Sequence, residues 1–195
     1  MTDDPCVYPG TSILRNRRGI TDPVELERVE RLLTTQRAAS GAPTGDFDFV
    51  QLRAIHRHLF WRLYDWAGEI RTVEIAKGGH QFMFRQYIGN GMADVHRRIV
   101  AAKHFKGARI DALADQVGRI IGHVNYVHPF REGNGRTQLL YLQQLCAVAG
   151  HRLALPRIRA DAWREASKCA HTADYAPMSQ VILAALEPMN SRGKA

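Results

Sequence analysis

Apolar residues recur at three- and four-residue steps through most of this chain. Leu26, Val29 and Leu33 form one stripe, and Leu52, Ile55, Leu59 and Leu63 form a second. Ile88, Met92, Val95 and Ile99 form a third, and Leu113, Val117, Ile120, Ile121 and Val124 a fourth. That spacing gives a helix one apolar face. The first helix starts at TDPVE, where Asp22 predicts an N-cap, Pro23 takes the first helical position and Glu25 completes a box-like signature. The second is predicted from about Phe49 to Trp66, with Gly68 as its stop. Asp111 is the predicted cap of the fourth. A fifth, at about 134–149, is apolar nearly all round (Leu139, Leu140, Leu142, Leu145, Cys146, Val148), which predicts a buried central helix ending at Gly150. Shorter helices are predicted at 161–170 and 178–187. The helical rhythm breaks only in 69–84, where β-branched and aromatic runs flank Gly78-Gly79 and predict a hairpin. The fold class is therefore mainly α, a helical bundle around a buried central helix with one β-hairpin.

Composition adds bounds. At 195 residues, one domain able to bury about 70% of its unfolded surface is expected. The net charge of +8, from 27 Lys and Arg against 19 Asp and Glu, fits solubility, an anionic small molecule or a nucleic acid, and does not choose among them. Cys6, Cys146 and Cys169 are odd in number with no C-x-x-C, which argues against a disulfide framework or zinc knuckle and for a reducing cytoplasm. The start, Met-Thr-Asp-Asp, does not read as a secretory leader, and no stretch approaches the ~18 apolar residues of a membrane span.

The chemistry concentrates in HPFREGNGR, residues 128–136, between two strongly apolar helices. Gly133, Asn134 and Gly135 fall where a helix must start. Its first amides have no internal partner, and with the helix dipole they suit a phosphate. Arg136 can reach a second phosphate as a forked donor. Glu132, beside phosphate oxygens, suits Mg²⁺. His128, held by Pro129, can deprotonate a hydroxyl near neutral pH. Any one of these residues alone reads as ordinary structure. The whole string, each residue with a compatible role at compatible spacing, reads as transfer chemistry at phosphorus. No G-x-x-x-x-G-K-[ST] is present.

The string resembles the signature of the Fic family, H-P/x-F-x-[D/E]-G-N-G-R-x-x-R. GTSILRNRRGITDPVELERVE resembles the family's N-terminal region, and LFWRLYDWAGEIRTVEIAKG its helix leading into a flap hairpin. The resemblance covers most of residues 8–150, with 151–190 as a helical extension of a single Fic-type domain spanning 1–195. It implies an all-α Fic core and Mg²⁺-dependent transfer of AMP from ATP to a Ser, Thr or Tyr hydroxyl of a target protein. On this chain it implies His128 as the base, Glu132 as the holder of Mg²⁺, Gly133, Asn134 and Gly135 as the anion hole, Arg136 on the β-phosphate and Phe130 in the core. Residues 73–84 would be the flap. Its hairpin edge accepts an extended target segment as an added strand, with Lys77, Phe82 and Phe84 as docking residues. Ordinary hairpin packing explains the two phenylalanines equally well.

One position departs from the pattern. The second arginine of the signature, which the resemblance assigns to the γ-phosphate, is Leu139 here. A lost charge-assisted contact costs about 1.5–3 kcal/mol. The donor could be ATP bound more weakly, another nucleotide, or ATP held by a compensating cation such as Arg131 or Lys77. A degenerate fold that only binds a nucleotide or partner is the alternative. The family's inhibitory motif, [S/T]-x-x-x-E-[G/N], whose Glu pairs with the second arginine, is not visible in the chain; a small antitoxin supplying it in trans is an expected partner, or else Leu139 means that the switch is gone.

Other candidates fare less well. His56 and His58 point to different faces of a helix, and no H-E-x-x-H occurs, so structural histidines are the simpler reading. Arg15, Arg17 and Arg18 form a basic cluster with no recognised nucleic-acid module beside it. Tyr8 and Trp66 could stack on a base, though core packing explains Trp66 as well.

Overall fold

The computed structural model describes residues 4–189, which form seven α-helices and two small antiparallel strand pairs. Helix α1 (Pro23–Ala39) starts as predicted, with the Asp22 carboxylate accepting from the Glu25 amide at 2.7 Å. Helix α2 (Phe49–Phe60) uses the same device at Asp48. It ends at Phe60 rather than Trp66. Turns then fold Leu63, Tyr64 and Ala67 back into the core. Gly68 (φ 86°) sits so close to α2 that a Cβ there would lie 2.9 Å from Arg57 Cβ. It closes this turn rather than a helix.

Helix α3 (Ile88–Ala101) buries its predicted stripe completely. Helix α4 (Ile110–Val127) is capped by Arg109, not Asp111. Asp111 instead lies in the first turn, where its negative charge favours the positive end of the dipole. Helix α5 (Asn134–Ala149) ends at Gly150 as expected. It shares the centre of the bundle with α4, which packs on α3, α5 and α7 while α5 packs on α2. Helices α6 (Ala160–Cys169) and α7 (Ala176–Ala185) complete the layer.

The hairpin pairs β1 (Ala76–Lys77) with β2 (His80–Gln81) across Gly78 and Gly79, both at positive φ as its tight turn requires. A second pair, β3 (His151–Leu153) with β4 (Leu186–Pro188), replaces the predicted last turn of the final helix. Its register sets Leu153 opposite Leu186, both buried, a non-local pairing that periodicity alone does not reveal. All three cysteines are free. Among the described residues no helix is long and apolar enough to cross a membrane.

This packing places the loop 128–133 at the seam between the two central helices. It joins the end of one to the start of the other.

Candidate active site

A cavity of about 590 Å³ opens between that loop, the hairpin and α6. His128, Arg131, Glu132, Asn134 and Gly135 line one side, Lys77 and Phe82 a second, and Trp163, Arg164, Ser167 and Lys168 of α6 the third.

The loop's conformation is set from behind. His128 ends α4 in the left-handed region (φ 47°, ψ 62°), unusual for a residue with a Cβ, and such strain persists only where neighbours over-determine it. Here they do. Arg71 Nε donates to the His128 carbonyl at 2.9 Å and the Arg71 amide to the Pro129 carbonyl at 2.9 Å. The Asn134 side chain closes both polar groups of Phe130, accepting from its amide at 3.0 Å and donating to its carbonyl at 2.7 Å. His56 Nε2 donates to the Glu132 carbonyl at 2.9 Å, and Thr137 Oγ1 to that of Gly133 at 3.0 Å. With the Phe130, Glu132 and Gly133 carbonyls drawn inward, the amides that open α5 are left toward the cavity. No side chain caps that helix through its N-cap residue, Gly133. The one nearby acceptor is the Glu132 carboxylate, on the Gly133 amide at 2.8 Å.

His128 is aimed by a single bond. Its Nδ1 faces the Asn125 carbonyl at 3.1 Å, so Nδ1 carries the proton and Nε2 is a bare base. Phe82 stacks on the ring, centroids 3.7 Å apart and planes 18° from parallel. Burial, then the cations Arg71 and Lys77, pushes the imidazole down to about 3. His56 is fully buried, stacked on Phe130 at 3.9 Å, with Nδ1 accepting from the Gly68 amide at 2.8 Å, and burial pushes it down to about 4.

Both rings are neutral when folded and titrate near pH 6.5 when unfolded. Between that pH and their folded values the unfolded chain binds more protons. Their contribution is complete above pH 6.5 and is lost as the pH falls toward 4 and then 3. Urea unfolding at pH 7 and pH 5 is expected to differ by up to about 2 kcal/mol per ring. His128→Asn should remove roughly half of that loss.

The remaining expected residues divide. Lys77 and Phe82 face the cavity, but Phe84 does not. It lies outside, 54% exposed, where the chain leaves the hairpin and enters the turn Arg85–Tyr87. Arg131 faces the cavity with its guanidinium already paired to Asp4 at 2.6 Å. Arg136 turns away. It pairs with Glu30 of α1 and lies over the Phe60 ring at 4.8 Å, leaving Glu132 as a distant partner at 3.7 Å. Glu30 is buried and also accepts from Tyr64 Oη, so its charge needs the arginine more than the cavity does. Leu139 packs against the core. Trp66 stacks on Tyr64 and His56, a core role. Among the described residues no cluster of three His, Cys, Asp or Glu could hold a metal alone. The α6 wall and the donors Arg71 and His56 carried no sequence signal beyond position on a helix face or in a buried turn.

A bundle whose central seam turns helix amides, an unprotonated imidazole nitrogen and a carboxylate into one cavity is a site built for anionic substrates and proton transfer. The chain belongs to the Fic/DOC family, whose sequence model matches residues 46–146. It is similar to the probable protein adenylyltransferase y4lH of Sinorhizobium fredii, 36% identical over 181 residues, covering 92% of this chain and 94% of that protein. A Fic domain of a putative cell filamentation protein from Bartonella quintana, solved with bound ADP, superposes with TM-score 0.89 at 25% identity over 95% of this chain and 96% of its own. BepC from Bartonella tribocorum, solved with bound AMPPNP, superposes with TM-score 0.89 at 23% identity over 94% and 97%.

Proposed function

We propose that this protein is a protein adenylyltransferase, moving AMP from ATP to a hydroxyl of a target protein. The observation that carries the proposal is the convergence of a bare His128 Nε2 and the uncapped start of α5 on one cavity. The adenylyltransferase relative supports the reaction, and the ADP of the Bartonella quintana domain supports the nucleotide. In this reading His128 Nε2 takes the proton as the target oxygen attacks the α-phosphorus. The oxygen–phosphorus bond forms, the α–β bridging bond breaks, and pyrophosphate leaves. The amides of Gly133, Asn134 and Gly135 receive phosphate oxygens, with the Glu132 carboxylate displaced from the Gly133 amide. Phosphate charge beside the imidazole raises its basicity from the low value that burial imposes.

A single carboxylate opening on a phosphate cradle suits Mg²⁺, which takes few protein ligands and completes its shell with phosphates and water. Glu132 would hold it, and the ion would neutralise phosphate charge. Lys77 and Phe82 face the position a target segment would take on the hairpin edge. Residues 8–150 form the catalytic core, and the extension contributes the α6 wall.

The test is incubation with Mg²⁺ and α-³²P-labelled ATP in a cell lysate. Label on a lysate protein that vanishes in His128→Ala supports the proposal; no label from ATP or any other labelled nucleoside triphosphate overturns it.

Leu139 bears on the donor. With Arg136 held by Glu30 and Arg131 by Asp4, neither arginine is free to replace the missing cation. Leu139→Arg is expected to tighten ATP binding about tenfold or more, the value of one charge-assisted contact. Calorimetry that finds no change would exclude the missing arginine as the limit on ATP use. An inhibitory glutamate from another chain would likewise find no charge at Leu139 to pair with.

A further inference from the structure

Among the described residues Arg71 is the most completely buried lysine or arginine, its side chain wholly shielded from solvent. Such a group is expensive to bury unless every donor is used, and here nearly all of them are. Nε donates to the His128 carbonyl at 2.9 Å. Nη1 donates to the Val73 carbonyl at 2.8 Å and to the Glu74 carboxylate at 3.1 Å. Nη2 donates to the Met83 carbonyl.

These acceptors belong to three separate pieces of chain: the loop carrying the base, the stem entering the hairpin, and the stem leaving it. The leaving stem is also tied to α4 by the Met83 amide on the Tyr126 carbonyl at 3.0 Å. Glu74 extends the clamp by accepting from the Arg85 amide at 3.1 Å. Phe82, adjacent to Met83, is thereby laid flat on the His128 ring.

We propose that Arg71 is a positioning residue, which locks the hairpin to the loop of His128 so that a target bound on the hairpin and the base that deprotonates it share one frame. This rests on the adenylyltransferase reading. The donor cradle does not pass through the clamp. The amides of α5 are set by Asn134, Thr137 and His56 from the far end of the loop. Arg71 therefore acts on the acceptor half of the reaction alone. A fixed guanidinium fork is required. Lysine keeps the charge but has one nitrogen, which cannot reach three carbonyls lying in different directions.

The test is Arg71→Lys in the full chain, checked for folding by circular dichroism and thermal melting. Transfer of label from α-³²P-ATP to lysate proteins is expected to fall about 100-fold, the usual consequence of misplacing reacting groups by an ångström. ATP binding by calorimetry is expected to stay within about twofold. A third readout does not depend on activity: NMR titration of the His128 imidazole. The charged and titratable groups facing it are Arg71, Lys77 and His171. Lysine preserves the charge at 71, so freeing Phe82 and admitting water should move the titration up toward ordinary imidazole values.

Unchanged transfer, an equal loss of ATP binding, or an unmoved His128 titration would each overturn the proposal. If Arg71→Lys does not fold, Glu74→Gln decides in the same assays. It weakens only the hairpin side of the clamp, and should reduce transfer several-fold with ATP binding intact. Failure of wild-type protein to label anything would instead overturn the adenylyltransferase reading itself, and the His128 titration would still report on the clamp.

Discussion

His128→Ala is expected to reduce AMP transfer by roughly 10²–10⁴-fold, the range a positioned general base supplies, while ATP binding is retained. In the proposed reading the cradle for phosphate is made of backbone amides at the start of α5, which the loss of the ring leaves in place. The base is a different matter. Nε2 is the only ring nitrogen open to the cavity, because Nδ1 is committed to the Asn125 carbonyl. Alanine also inherits a left-handed conformation (φ 47°) that it tolerates poorly. His128→Asn separates the two effects, since asparagine accepts that conformation but cannot act as the base. Equal inactivity in both variants, with normal ATP titrations, assigns the loss to proton transfer. Activity near wild type in His128→Asn would remove His128 from the chemistry.

Gly133 in the loop and Gly135 in the first turn of α5 should fail in opposite ways. Gly133→Ala is expected to destabilise the protein by about 3 kcal/mol or more, combining a left-handed penalty with overpacking. A Cβ there, at φ 82°, would lie 2.3 Å from Phe60 Cζ, and Phe60 is fixed in the core by its stack with His56. Gly135→Ala meets nothing closer than Trp163 Nε1 at 4.0 Å. It should leave the melting temperature unchanged or raise it, as alanine is the better helix former. Its cost should appear only with nucleotide present, as weakened binding where the backbone must approach phosphate closely. Thermal melts and ATP calorimetry on both variants check this. A large melting-temperature loss in Gly135→Ala, or none in Gly133→Ala, contradicts the assigned packing.

These contrasts show which parts of the site the sequence displays. The nine residues 128–136 carry their own conformational instructions. Pro129 ends a helix, Gly133 permits a turn that a Cβ would block, and Asn134 bonds back to Phe130 four residues away. Every one of those constraints acts over a few residues, so reading them in order predicts the loop turn that brings His128, Glu132 and the start of α5 to one cavity. Arg136 is directed instead by Glu30, 106 residues earlier. A buried carboxylate outbids an open cavity for a nearby guanidinium, and nothing at position 136 announces it. Phe84 lies exposed outside the cavity, and the aromatic of the hairpin that turns inward is Phe82, stacked on His128.

The sequence by itself determined the helical class, the Asp22 start, the Gly78-Gly79 turn, the fully buried stripe of α3 and the local geometry of the signature loop. Capping, periodicity and turn chemistry all act between near neighbours. The tertiary structure alone decided where α2 stops, that β3 pairs with β4, that α6 walls the cavity, and that Arg71 gathers the loop and both hairpin stems onto one guanidinium. Each of these joins groups distant along the chain whose meeting depends on how the helices pack. Their energies come from satisfying buried donors and acceptors that exist only once the core has closed around them.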